Sequence, residues 1–329
     1  MRIGYRMTEK GIEVHRVMTG TGQAVLPGNI AEKTVYRVAP YAFSQHRREE
    51  AELSWYDDGT EPEEELSMCC GAFLESAVFP KEVQEIGDYA FYGCVNLNKL
   101  HVTDRIERMG SGVFTGCRLS EVEIDFYEGE KSCLKEILTE IRYEVYAVLN
   151  YGMGQGGRRE KARVLFPEFY ADAVENTPAR IVETHYYGSG GDYRECFYRR
   201  ELDYAKYDER FALSEARDES GSTAVLSMAR LLYPYKLSGK AEDRYKSYIS
   251  ENILKIVKDI GKSAKENRIS RPKKQSVLLK WLCEERYFTE RALEKSIEML
   301  AEMGQTEMMS ILMDARQSRF GEKKKTFDL

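Results

Sequence analysis

The amino-acid sequence predicts an α+β protein: a short repeat solenoid with a parallel strand sheet, followed by a mainly α-helical domain. A motif that returns after 23 residues predicts the solenoid, and apolar residues after Glu130 recur with the 3.6-residue period of a helix. The charge also changes, since residues 1–128 hold 13 Lys/Arg against 22 Asp/Glu and residues 129–329 hold 36 against 33. We therefore expect one domain over 1–128 and a second over 129–329.

The overall composition excludes several classes of protein. The chain has 329 residues, a formal net charge of −6 and 32% charged residues. No apolar run approaches the roughly 18 residues of a membrane-spanning helix. Charged residues are mixed through the first segment, Met1–Gly20, so it does not resemble a signal peptide, and we expect a cytoplasmic protein without membrane contact. The acidic N-terminal part cannot supply the basic face that phosphates require, which disfavours nucleic acid as a partner.

The residues that usually carry chemistry are scattered. The seven cysteines are odd in number and include no Cys-x-x-Cys pair, which favours buried thiols over disulfides or zinc. The four histidines form no His-x-x-x-His pattern. The sequence therefore nominates no catalytic, cofactor-binding or metal-ligating residue. Cys196 is the one cysteine that we would test as a nucleophile, although a buried thiol is the simpler interpretation.

The repeat is clearest in two consecutive copies. The segment Ile86–Cys94 returns as Met109–Cys117, and each copy is followed by an apolar triplet with spacings of three and two. A degraded copy covers residues 68–73, and another covers residues 35–43. One coil cannot bury its apolar side alone, so we expect successive coils to stack about 4.8 Å apart in a parallel sheet.

Stacked coils place equivalent residues above one another. We expect a core ladder of phenylalanines at Phe43, Phe73, Phe91 and Phe114. We expect Cys94 and Cys117 to form a similar ladder of small buried side chains. We also expect Gly87 and Gly110 to mark tight bends. The outward positions of the strands are the candidates for partner contact; they are Ser76, Val78, Lys99, His101, Glu121 and Glu123.

Residues 11–127 resemble the BspA-type leucine-rich repeats of bacteria, which carry an Ile-Gly-x-x-Ala-Phe-x-Gly-Cys core. The resemblance implies a leucine-rich-repeat solenoid that recognises other proteins. Members of that family are often secreted or surface-displayed adhesins. This chain has few repeats and no export signal, so an intracellular adaptor is expected instead.

Residues 44–66 interrupt the repeats with many charged side chains. We interpret them as a solvated loop or a short helix inserted between coils. The alternative is an acidic docking arm. Trp55 lies beside the acidic residues and is a candidate partner contact, since exposed tryptophans are common binding hot spots.

The C-terminal part has a helical pattern at its start. An apolar stripe from Leu134 to Leu149 predicts one amphipathic helix, and the glycine-rich run at 152–157 is interpreted as a flexible linker. This run is a poor match to a phosphate-binding loop. Such a loop should follow a strand and open a helix with Lys-Ser/Thr, whereas this run comes after the predicted helix. Pro167 predicts the start of a short helix that continues through Val174.

The segment 186–211 is unusually rich in tyrosine. Its aromatic rings and three arginines, Arg194, Arg199 and Arg200, could stack on bases or bind a peptide. The simpler interpretation is that the rings are buried and join the two domains.

The last third of the chain predicts further helices. Ser222 begins one, a second runs from Tyr245 to Ile260, and Thr289 and Thr306 begin the last two. Met309, Leu312 and Met313 are expected on the inner side of the final helix. The pair over 289–316 resembles the paired helices of an ankyrin repeat.

These patterns favour a non-catalytic adaptor or scaffold that binds a protein partner through the repeat surface and uses no cofactor. The alternative is an enzyme or a nucleic-acid-binding protein with a site in residues 158–236. A pocket that gathers Cys196, His185 and several tyrosines would favour the alternative, whereas burial of these side chains in a core would count against it.

Overall fold

The computed structural model describes residues 1–46, 52–60, 65–154, 156, 158–176, 181–217, 221–265 and 274–320. For residues 171, 173–176, 181–186, 264 and 265 the backbone alone is described. The chain divides into two units, Met1–Arg217 and Asp218–Leu329.

The first unit is built mainly from short strands. They are β1 (Arg2–Thr8), β2 (Gly11–Thr19), β3 (Gln23–Val25), β4 (Asn29–Ile30), β5 (Lys33–Val38), β6 (Ser54–Asp57), β7 (Ser67–Met68), β8 (Ser76–Val78), β9 (Glu85–Ile86), β10 (Lys99–Thr103), β11 (Arg108–Met109), β12 (Glu121–Asp125), β13 (Val145–Tyr151), β14 (Glu160–Phe166), β15 (Tyr170–Asn176), β16 (Ile181–Tyr187), β17 (Phe197–Tyr198) and β18 (Glu201–Leu202). Its helices are α1 (Leu134–Glu140), α2 (Gly190–Arg194), α3 (Tyr204–Glu209) and α4 (Phe211–Arg217).

Two sheets form the solenoid of the first unit. Sheet 1 has the order β11-β9-β5-β2-β1-β6, with β4 beside β5 and β7 beside β2. Sheet 2 has the order β14-β13-β12-β10-β8-β3. Each coil adds one strand to each sheet. One coil supplies β9 and β10, and the next supplies β11 and β12. Strand β11 pairs in parallel with β9, and β12 pairs in parallel with β10. The predicted α+β solenoid with a parallel sheet is therefore confirmed.

The phenylalanine ladder is present with one correction. The ring of Phe91 stacks on Phe43 at a centroid distance of 5.0 Å and on Phe114 at 5.6 Å. Phe79 lies beside them, 6.0 Å from Phe91. Phe73 is not in the ladder, because its side chain is 37% exposed.

The exposure of Phe73 has a simple cause. Strand β5 and strand β8 belong to one coil that the insertion splits, so residues 35–43 and 68–73 are not successive copies. Phe43 supplies the ring of that coil, and the Gly71 N–H donates to the Phe43 carbonyl at 3.0 Å. The neighbouring Leu74 is fully buried in place of Phe73.

The glycines of the repeat allow close contact between coils. A Cβ atom on Gly110 would lie 2.4 Å from the backbone nitrogen of Asp88, and one on Gly87 would lie 2.4 Å from that of Pro40. Neither glycine has a positive φ angle. They are therefore required by the approach of the neighbouring coil and not by a sharp bend.

The two ladder cysteines are buried and donate to backbone carbonyls. Cys94 Sγ lies 3.1 Å from the Phe43 oxygen, and Cys117 Sγ lies 3.0 Å from the Phe91 oxygen. Burial raises the pKa of the Cys94 thiol well above its usual value and raises that of Cys117 to about 12. Both thiols therefore stay protonated at neutral pH.

This burial predicts an order of thiol reactivity. In the native protein we expect iodoacetamide to label the partly exposed Cys70 and Cys283 before Cys94 and Cys117, because the thiolate is the reactive form and alkylation needs access. Peptide mapping by mass spectrometry measures the order, and the unfolded protein is the control, in which all four should react at similar rates. Labelling of Cys94 as fast as Cys70 in the native state would contradict the packed ladder.

The insertion contains a strand where a loop or short helix was predicted. Strand β6 pairs antiparallel with β1 and extends sheet 1. Asp58, directly after this strand, continues the contact, since the N-terminal ammonium donates to Asp58 Oδ1 at 2.5 Å. The docking-arm alternative depends on the acidic cluster at 61–65, most of which lies outside the described residues.

The single helix predicted over 134–149 is wrong after Glu140. Helix α1 ends there, and the following apolar residues form β13, which pairs in parallel with β12. Strand β13 is buried at nearly every position, so its apolar residues do not alternate and can be mistaken for a helical stripe. The two compact units of the structure divide at 217/218, and the 128/129 domain boundary stays a prediction.

Two further predictions near this strand need correction. The glycine-rich run at 152–157, interpreted as a flexible linker after a helix, instead follows a strand and joins β13 to β14, which pair antiparallel. The segment after Pro167 forms β15 and not a helix, and it pairs antiparallel with β16.

The tyrosine-rich segment packs within the first unit. Tyr193, Tyr204 and Tyr207 are buried. The Tyr207 hydroxyl donates to the Leu165 carbonyl at 2.6 Å and accepts from the Leu165 N–H at 3.0 Å, so it binds the free edge of β14. Burial is therefore observed for these three rings, which cover the last strands of sheet 2, whereas Tyr187 and Tyr198 are exposed. That the aromatic rings join two domains stays a prediction.

The second unit is helical throughout the part that is described. Its helices are α5 (Ser222–Leu232), α6 (Gly239–Glu251), α7 (Ile253–Lys265), α8 (Gln275–Glu284), α9 (Glu290–Glu302) and α10 (Thr306–Phe320). Among the described residues, no helix is both long and apolar enough to cross a membrane.

Several helix boundaries follow the sequence signals. Thr289 Oγ1 accepts from the Ala292 N–H at 3.2 Å, as expected for an N-cap. The helix predicted over 245–260 is two helices, α6 and α7, separated at Asn252. On α10, Met308 and Leu312 are buried, whereas Met313 is 50% exposed and does not face inward as predicted. Helices α9 and α10 pack together, and their ankyrin-like character stays a prediction.

Candidate functional site

The candidate site is the outer face of sheet 2 at strands β8, β10 and β12. Six partly exposed side chains form two rows in register across these strands: Ser76, Lys99 and Glu121, then Val78, His101 and Glu123. The residues between the rows, such as Leu100 and Val122, are fully buried. The alternation predicted for these six residues, which we call the strand face, is the observed one. Their role in partner binding stays a prediction.

An ion pair network links the first row to the second. Lys99 Nζ lies 3.0 Å from Glu121 Oε1 and 3.2 Å from Glu123 Oε2. Burial by itself lowers the pKa of Lys99, but hydrogen bonds to the two glutamates raise it above its usual value. The ammonium group therefore stays charged and ties β10 to β12.

Two residues outside the predicted set complete the network. His101 Nε2 lies 3.1 Å from Asp125 Oδ2, and this hydrogen bond raises the pKa of the imidazole above its usual value. Asn150 on β13 donates from Nδ2 to Glu123 Oε1 at 3.0 Å and to Asp125 Oδ1 at 2.8 Å.

The two carboxylates are held in their charged forms. Burial by itself raises the pKa of Glu123 and of Asp125. For Glu123 the hydrogen bond from Asn150, the charge of His101 and the contact with Lys99 more than offset burial and lower the pKa below its usual value. For Asp125 the hydrogen bonds of His101 and Asn150 and the charge of His101 do the same. The centre of the face is therefore a fixed arrangement of carboxylates, an imidazole and an ammonium.

A sequence signal was available for one of the missed residues. Asp125 continues the alternation that begins at Glu121 and Glu123, so a strand one step longer includes it. Asn150 lies in the segment for which a helix was predicted. The rows then stop at β13, because Tyr146 and Val148 occupy the next places and are buried.

Residues 65–143 match a family model described as the BspA type leucine-rich repeat region, in six copies. The solenoid is similar to that family. No curated protein and no solved structure matches the chain. The matched range contains all six strand-face residues, so the candidate site lies in the part of the chain that is similar to this family.

Trp55 lies apart from the strand face in the structure. It is on β6 at the edge of sheet 1, whereas the strand face belongs to sheet 2. Its indole is 42% exposed, and the Arg2 guanidinium lies 5.5 Å from the ring centroid. Exposure agrees with the prediction, but Trp55 and the strand face do not form one contact surface on the same sheet.

The segment proposed for the alternative site is largely packed. Cys196 is buried, and burial raises the pKa of its thiol to about 11, which is the opposite of nucleophile activation. The guanidinium of Arg194 donates hydrogen bonds to backbone carbonyls and is therefore not available to a ligand. His185 lies on β16, and its side chain is outside the described part of the structure.

The structure also contains a groove outside this segment. It has a volume of about 700 Å³ and lies in the second unit among α8, α9 and α10, with Cys283, Phe288 and Arg319 in its lining. Burial raises the pKa of the Cys283 thiol to about 11. This groove includes no residue of the 158–236 segment.

Proposed function

We propose that this protein is a non-catalytic bacterial adaptor that binds a protein partner through the strand face. The observation that supports this most directly is the pair of in-register rows on β8, β10 and β12. They present five partly exposed polar side chains and that of Val78 on a backbone fixed by parallel pairing. A pre-ordered surface loses little conformational entropy on binding. The ion pairs among Lys99, Glu121 and Glu123 order the side chains as well.

A cytoplasmic location is part of this proposal. All seven cysteines are free thiols in the structure. Free, mostly buried cysteines are usual in reducing compartments, whereas secreted domains tend to pair them.

Charge reversal on the strand face tests the proposal. The variant combines Lys99→Glu, Glu121→Lys and Glu123→Lys, which keeps opposite charges beside one another but inverts the pattern shown to a partner. We expect at least about a tenfold loss of the bound partner, since misplaced like charges across an interface are strongly unfavourable. Affinity capture of the full chain from a lysate of the source cells, quantified by mass spectrometry, measures the loss.

A matched control reverses three charges on sheet 1. Arg37, Glu85 and Arg108 form an equivalent row there, with Arg37 Nε 3.7 Å and Arg108 Nη2 2.5 Å from Glu85 carboxylate oxygens. We expect their combined reversal to leave capture unchanged. The proposal is wrong if both variants retain the partner, or if both lose it equally while remaining folded by circular dichroism.

A further inference from the structure

One cluster on sheet 2 consists of three side chains of metal-ligating type, those of His101, Glu123 and Asp125. They lie on the adjacent strands β10 and β12, and one ligand atom from each lies within 4.8 Å of the others. No other trio of His, Cys, Asp or Glu side chains in the described part of the chain meets this spacing. The cluster is set in a rigid sheet, because the register His101↔Glu123 and Thr103↔Asp125 is fixed by parallel pairing.

The two carboxylates are oriented from behind. Asn150 Nδ2 donates to Glu123 Oε1 and to Asp125 Oδ1, which leaves the second oxygen of each carboxylate for contacts with other groups. Asp125 Oδ2 faces His101 Nε2, and Glu123 Oε2 faces Lys99 Nζ. Hydrogen bonds of this kind, one step away from the ligand atoms, orient ligands in metal sites and strengthen binding.

The types of ligand and the solvent exposure of their side chains suit a metal ion that also binds water and can exchange with solvent. One imidazole and two carboxylates are ligands typical of zinc and neighbouring divalent transition metals. The side chains of His101 and Asp125 are 25% and 15% exposed, so an ion there has a solvent side for water ligands. The Lys99 ammonium contacts two carboxylates, those of Glu121 and Glu123, and the charge of Lys161 reaches the third carboxylate, that of Asp125.

We propose that His101, Glu123 and Asp125 form a binding site for a divalent transition-metal ion such as Zn²⁺. Lys99 competes with the ion, because its ammonium contacts the Glu123 oxygen that faces the site. The site does not depend on partner binding by the strand face and goes beyond the adaptor function.

Titration of the tag-free full-length protein with Co²⁺ and Zn²⁺ tests the site. We expect one ion per chain by calorimetry and a visible Co²⁺ spectrum without the sulfur charge-transfer bands that cysteine ligands produce. His101→Ala and Asp125→Asn should each weaken binding by at least about tenfold, and Asn150→Ala by about 10- to 100-fold. Lys99→Met should tighten binding, which a purely structural ion pair network does not predict.

The control is His46→Ala. The ring of His46 packs on Tyr92 at 5.2 Å in a different part of the repeat, so its removal should leave metal binding unchanged. Circular dichroism shows whether each variant is folded. The proposal is overturned if neither the wild type nor Lys99→Met binds either ion, or if His101→Ala and Asp125→Asn bind as tightly as the wild type.

Discussion

Replacing Phe91 with alanine is expected to lower the free energy of unfolding of the first unit by about 3–5 kcal/mol. Phe91 is fully buried and stacks on Phe43 and Phe114, with Phe79 alongside. The substitution removes the central ring of the ladder. Neighbouring coils are fixed by their strand pairing and cannot collapse into the space, so the loss of contacts adds to the lost transfer free energy.

Urea unfolding followed by tryptophan fluorescence measures this effect. The chain has two tryptophans, Trp55 in the first unit and Trp281 in the second. A Trp281→Phe background therefore leaves Trp55 to report the first unit alone, which avoids averaging over two transitions.

Phe73→Ala is the matched control for the ladder. It occupies the same place in the sequence motif, but its side chain is 37% exposed. We expect it to change the free energy of unfolding by less than about 1 kcal/mol. Equal losses from Phe73→Ala and Phe91→Ala would be incompatible with the ladder described above.

Arg194→Met is expected to destabilise the first unit by at least about 3 kcal/mol. The guanidinium is buried and donates to five backbone carbonyls, those of Leu138, Ile141, Tyr143, Pro167 and Gly190, at 2.7–3.2 Å. Methionine fills similar space without a donor, so several buried carbonyls lose their partner at about 1–3 kcal/mol each. The same fluorescence measurement of urea unfolding applies.

Arg199→Met is the control for the loss of an arginine that does not bind buried carbonyls. Arg199 is exposed and lies over the ring of Tyr198 at 5.4 Å. We expect a change within about 0.5 kcal/mol, as for most surface substitutions. If Arg194→Met were as mild as Arg199→Met, the carbonyl cluster would not depend on the guanidinium.

The sequence predicts the repeat part of the fold well, because each coil repeats its own packing. The strands around Leu100 and Val122 alternate cleanly between core and solvent, and this alternation also places the strand face. The prediction fails where strands lose alternation. Strand β13 is buried almost throughout, and its first five residues are all apolar, so periodicity does not distinguish a strand from a helix there.

The candidate site was predicted in part for the same reason. Lys99, His101, Glu121 and Glu123 follow from alternation, whereas the contact between His101 and Asp125 depends on the register of two strands 24 residues apart. Asn150 could not be included, since its strand was not recognised. The split coil was missed because the insertion hides that Phe43 and β8 belong together.

The antiparallel strand β14 limits how far the array can grow. Parallel coils can in principle be duplicated without end, because each new strand meets the same unpaired edge. Here the chain reverses direction at the last coil, and the Tyr207 hydroxyl occupies both the N–H and the carbonyl of Leu165 on the outer edge. An additional repeat, or the terminus of another molecule, finds no open backbone at that position, which protects this end of the solenoid against polymerisation into filaments.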